Sequence, residues 1–159
     1  MARILLFLSL ATFLFQCQGD SGEMKAIAYA NGSAIDCILN ASAQDSARAL
    51  LQELFAGTQD MLRVRVSDES VDAVRRTDTA MEFVFNTPAP FTSRTHGAFS
   101  VRRLVIPVTG DYAGSEMDPV ATLFVADDQG FISGPLRNPA GRPLVLKLQS
   151  ILTPGSRPR

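Results

Sequence analysis

The chain has 159 residues, 46% of them hydrophobic and 19% charged, with a formal net charge of −1 at pH 7. That is enough apolar side chain for one core and too little charge for a disordered polymer, so one folded domain is expected. The near-neutral balance, with Arg75-Arg76 and Arg102-Arg103 as its only adjacent basic pairs, lacks the concentrated positive field that nucleic acid demands, and the absence of Trp removes the usual stacking platform for bases and sugars.

Residues 1–19 read as an export signal. Arg3 supplies a positive start, Ile4 to Phe15 is apolar except for Ser9 and Thr12, and a polar exit follows at Gln16 to Asp20. An apolar run this short cannot cross a hydrocarbon core of ~30 Å as a helix. Two cuts are open. Signal peptidase acting after Gly19 would find Cys17 and Gly19 at the small-residue positions and would discard the cysteine. A cut before Cys17 is the alternative, because Leu14-Phe15-Gln16-Cys17 resembles the lipobox of bacterial lipoproteins: leucine stands three positions before the cysteine, while Phe15 and Gln16 depart from the small residues usual there. The resemblance implies a thioether-linked diacylglycerol on Cys17, membrane contact only through that anchor, and a place in the cell envelope; the other cut implies secretion. Either cut leaves Cys37 without an intramolecular partner, and a Cys17–Cys37 bond would need cleavage upstream of Cys17. The apolar setting Ala34-Ile35-Asp36-Cys37-Ile38-Leu39 makes Cys37 a small buried hydrophobe in a strand.

Residues 20–152 are expected to form a single domain and 153–159 a flexible tail. Lys25 to Ala30 and Ala34 to Leu39 flank Asn31-Gly32-Ser33 and predict a hairpin. Ala47, Leu50, Leu51, Leu54 and Phe55 make one helical stripe, so a helix is expected from Ala43 to Ala56, capped by Ser42 with Asp45 and stopped by Gly57. Leu62 to Val66 predicts a short strand. After it Ser67, Asp68 and Glu69 open a second helix that closes on Arg75 and Arg76, acids first and bases last as the helix dipole favours.

Strands dominate the second half. Met81 to Phe85 alternates and is expected to end at Asn86-Thr87-Pro88-Ala89-Pro90; Phe99 to Val108 and Val120 to Ala126 follow, separated by a loop from Gly110 to Pro119. Asp127-Asp128-Gln129-Gly130 turns the chain into Phe131 to Ser133, and Gly134 to Pro143 reads as a turn-rich connection. Pro143 to Leu152 is expected to be a closing helix on the face of Leu144, Leu148, Ile151 and Leu152, with a strand as the alternative. The fold class that follows is α+β, a mostly antiparallel sheet with two or three helices packed on one face.

No motif for a phosphate loop, a dinucleotide, a nucleophile elbow or a metalloprotease occurs, so no catalytic residue, metal or cofactor is assigned. His96 is the only histidine and stands in a polar turn without a local orienting partner, which makes it a solvated loop residue. Asp111, Glu116 and Asp118 share one loop and Asp127 lies near it in sequence, but their spacing is not that of an EF-hand. Arg137, Asn138 and Arg142 offer anion donors on a connection whose glycines and prolines read as shaping elements.

The expected function is therefore an exported, non-enzymatic small domain that binds an envelope or extracellular partner, anchored at Cys17 in the lipoprotein version. The alternatives are an extracellular hydrolase using Asp111, Glu116, Asp118 or Asp127, and a secreted glycoprotein carrying glycans at Asn31 or Asn40, each the start of an N-x-S triplet.

Overall fold

A computed structural model describes residues 23–152; the residues read as an export signal, Cys17 among them, and the stretch 153–159 expected to be a tail lie outside the described residues. In chain order the elements are β1 (Met24–Ala30), β2 (Ser33–Cys37), α1 (Ala41–Ala56), β3 (Asp60–Met61), α2 (Asp68–Thr77), β4 (Ala80–Ser93), β5 (Gly97–Pro107), β6 (Ala121–Asp127), β7 (Gly130–Phe131), β8 (Leu136–Asn138) and α3 (Arg142–Ile151). All strand pairs are antiparallel, in the order β2-β1-β4-β5-β6-β8-β3, with β7 paired to β6 off that path. The α+β class with a mostly antiparallel sheet is what the sequence predicts.

Alternation along β4, β5 and β6 sends side chains to two different cores. Met81, Phe83, Phe85, Leu104, Ile106, Leu123 and Val125 face α1 and α3, whereas Ala80, Val105 and Phe124 face Val71 and Val74 of α2. Two helices thus share one face and the third covers the other. The larger core closes with an aromatic series in which Phe55 of α1 stacks on Phe91 at 4.8 Å between ring centroids and Phe91 meets Phe85 at 5.6 Å.

The Asn31-Gly32 hairpin turn forms as expected, with φ of 50° and 79°, the positive pair that a two-residue turn needs. Other local readings are revised. The cap of α1 is Asn40, whose Oδ1 accepts from the Ala43 amide at 2.9 Å, two residues before the expected Ser42. The strand expected over Leu62 to Val66 is instead Asp60–Met61: its partner β8 is three residues long, and Val64 finds no core to face. That β8 lies inside what reads as a connection.

The largest revision concerns β4, which continues through both prolines to Ser93. The pairing with β1 ends at Met24 opposite Phe85, and the register with β5 shifts between Val84 and Ala89. Pro88 and Pro90 therefore fall where one side of the strand has no strand neighbour, so their missing N–H groups cost little. Further on, the Gln52 side chain of α1 fills that side, donating to the Thr92 carbonyl at 3.1 Å and accepting from its amide at 3.3 Å.

The end of α1 is tied to β8. Asn138 is buried, donates Nδ2 to the Leu54 carbonyl at 2.9 Å and accepts from the Ala140 amide at 3.0 Å. Gly57 is required by this approach, since a Cβ there would stand 2.4 Å from Asn138 Nδ2. Asn138→Ala leaves a helix-terminal carbonyl buried without its donor, and is expected to lower unfolding free energy by about 1–3 kcal/mol in urea titrations with an unchanged denaturant slope.

Candidate functional site

The sheet face under α2 carries a polar cluster. Glu82 on β4, flanked by β1 and β5, is only 2% exposed. Its Oε2 accepts from the Tyr29 hydroxyl at 2.7 Å; its Oε1 accepts from Arg75 Nη2 at 2.9 Å and from Arg103 Nε and Nη2 at 3.0 and 2.9 Å. Arg75 also pairs with Asp72 one helical turn back and lies over the Tyr29 ring at 5.8 Å, while Arg103 lies over Phe131 at 5.8 Å. Four elements, β1, α2, β4 and β5, each supply at least one member. Two acids face two bases, and both carboxylate oxygens are occupied.

Burial pushes the Tyr29 phenol up to about 12, helped by its hydrogen bond to Glu82 and that carboxylate's charge, against the pull of Arg75 and Arg103. Burial disfavours the charge on Arg75, but Glu82, Asp72 and Tyr29 outweigh it and raise its pKa. This neutral, internally bonded cluster fastens α2 to the sheet. Arg75 does more than answer the helix dipole, and Arg103 is not merely half of a surface pair. The signal in the sequence is a carboxylate at the third position of an otherwise apolar run, Ala80-Met81-Glu82-Phe83.

The clefts lie elsewhere. One of about 260 Å³ is lined by Asp111, Tyr112 and Asp118 of the long loop together with Leu62, Thr122 and Arg137. It brings together two of the four named carboxylates. Glu116 is exposed on the same loop outside that lining, and Asp127 accepts from the Gln129 amide at 2.7 Å to shape its turn. Among the described residues no three His, Cys, Asp or Glu side chains converge on a point where a metal ion could sit. The loop is braced from below by Arg142, which donates to the Gly114 carbonyl at 2.5 Å. Arg142 and Asn138, considered as anion donors, are thus spent on internal carbonyls.

A second cleft, of about 370 Å³, opens where the chain enters the domain, between Glu23, Met24, Lys25, Cys37, Ile38, Leu39, Gln44 and Asn86. Cys37 is buried at its back, its thiol donating weakly to the Ile35 carbonyl; burial raises its pKa and Asp36 adds to this, as expected of an inert core cysteine. His96 differs from its reading: it is half-buried, and its Nε2 is shielded from solvent without a hydrogen-bond partner. Asn31 sits exposed at the tip of the first hairpin, and Asn40 uses its amide oxygen as the α1 cap.

Comparison with protein-family models, with curated proteins and with solved structures finds no match to this chain.

Two outcomes follow from the cluster. Glu82→Ala leaves Arg75 charged and buried beside an empty site, and should cost about 3–5 kcal/mol of stability in urea titrations. Because the folded pKa of Tyr29 lies above the ordinary value of 10.0, its contribution is complete below pH 10 and lost as pH rises through about 12. In a Tyr112→Phe background, absorbance titration of the one remaining tyrosine should give a midpoint near 12 in the folded protein and near 10 in urea.

Proposed function

We propose that this chain is an exported small domain that acts by binding, held to a bacterial envelope membrane by a lipid on Cys17. The observation that carries the reading is the sequence order Arg3, apolar Ile4 to Phe15, then Leu14 to Cys17 in lipobox-like register. The chemistry of the described residues fits a binding role. Its buried Glu82 and its partner Arg75 are committed to holding a helix on a sheet, Asp111, Glu116 and Asp118 are exposed, and Asp127 is spent on the Gln129 amide of its own turn. No helix among the described residues is long and apolar enough to cross a membrane.

Hydrolysis by loop carboxylates is the second reading, favoured by the shared cleft of Asp111 and Asp118 beside Thr122 and Arg137. It requires an activity that Asp111→Asn or Asp118→Asn removes.

The preferred reading is tested by growing a bacterial host that expresses the full chain with an alkyne analogue of palmitate. Label should enter the wild-type protein, which should fractionate with membranes; Cys17→Ser should carry no label and appear unprocessed or soluble. Labelling that survives Cys17→Ser, or a wild-type protein released without acyl chains, rejects the anchor.

A further inference from the structure

The place where the chain enters the domain decides which part of the surface a lipid on Cys17 would bring to the bilayer. Only Gln18, Gly19, Asp20, Ser21 and Gly22 separate Cys17 from Glu23. Whatever its conformation, that connection reaches no further than about 20 Å. A domain of this size has a radius of gyration of about 14 Å and is therefore wider than its tether is long. The lipid cannot pass to the far side of the domain, so the corner around Glu23 has to stay near the membrane.

That corner is defined by register. Cys37 is opposite Ala26, which sets Ile38 beside the start of β1, and the Asn86 amide donates to the Glu23 carbonyl at 3.2 Å. Ile38 is 70% exposed and projects at the mouth of the entry cleft next to Lys25, Leu39 and Gln44. The loop from Gly110 to Pro119 lies at the other end of β1: Tyr29 is opposite Ala80, Ala80 is opposite Pro107, and Val108 bonds to Thr79 just before the loop begins. Met117 on that loop is 98% exposed.

We propose that the Ile38 corner is the membrane-facing surface of the domain, resting at the lipid headgroups with Ile38 in the interface, while the Met117 loop points away. This rests on the acylated Cys17 of the preceding subsection. A branched apolar side chain loses exposed area at the headgroup boundary, and the neighbouring Gln44, Glu23 and Lys25, the last paired with Asp36 at 3.1 Å, suit its polar layer.

The absence of Trp makes a clean probe available. Ile38→Trp and Met117→Trp are each made in the full chain, acylated in a bacterial host, and reconstituted into phosphatidylcholine–phosphatidylglycerol vesicles doped with dansyl-labelled phosphatidylethanolamine. Both positions are exposed, so neither substitution enters the core. Energy transfer from position 38 should exceed that from position 117 by about threefold or more, because β1 puts about 20 Å between the two ends. Equal transfer from the two positions, or more from 117, overturns the orientation. Co-sedimentation with vesicles is read in the same samples: protein that sediments but shows equal transfer refutes the orientation alone, whereas protein that fails to sediment refutes the anchor and the orientation with it.

Discussion

A single carboxylate dictates how the smaller half of this domain is assembled. Glu82 sits on a strand with neighbours on both sides, and α2 takes water away from it. Burying such a charge costs several kcal/mol unless every lone pair is answered with good geometry. The donors come from a hairpin strand, a helix and the next strand, so Tyr29, Arg75 and Arg103 have to arrive together. The hydrophobic pair Val71 and Val74 supplies area for the docking of α2, but area is indifferent to rotation of the helix. The Arg75–Glu82 pair is not, and it selects one register of the helix on the sheet.

The opposite face works by different rules. Between α1, α3 and the sheet the contacts are apolar, centred on Phe55, Phe85 and Phe91, and orientation comes from polar groups at the periphery. Asn138 clasps the last turn of α1, Thr58 donates to the Phe55 carbonyl and accepts from the Ser93 hydroxyl, and Gln52 stands in for a strand along the outer side of β4. Both faces therefore follow one pattern, in which apolar area supplies most of the free energy and a few buried or edge hydrogen bonds decide the geometry.

That division explains how much could be read from residue order. Helix α1 is legible because Ala47, Leu51, Leu54 and Phe55 keep one phase over about two turns, and the first hairpin because Asn31-Gly32 tolerates positive φ without help. Helix α3 is legible for a similar reason, with Val145 and Leu148 inward and Pro143 in its first turn. Strand β4 misleads because proline stops a strand only when both of its sides need partners, and partner number is a property of the folded sheet. Likewise β3 and β8 are two and three residues long, too short for alternation to register, and exist because each lies beside an already formed strand. Glu82, Arg75 and Arg103 are far apart in sequence, and each has an ordinary local explanation, so their convergence is invisible until β1, β4 and β5 are side by side. The proposed export signal is read without tertiary context, from residues 1–19 alone.

The proposed orientation also bears on where a partner would be met. If the Ile38 corner is held at the headgroups, the surface most open to the surrounding medium is the opposite end, where Asp111, Asp118, Thr122 and Arg137 line a cleft beneath an exposed loop. That loop is not slack: Arg142 holds the Gly114 carbonyl, the Ser115 hydroxyl accepts from the Asp118 amide, and a Cβ at Gly114 would run into the Val120 carbonyl at 2.2 Å. A loop held by such internal bonds loses less entropy on binding than a slack one. Its exposed Met117, and the two carboxylates that share a cleft with Arg137, give it an apolar element and a polar one.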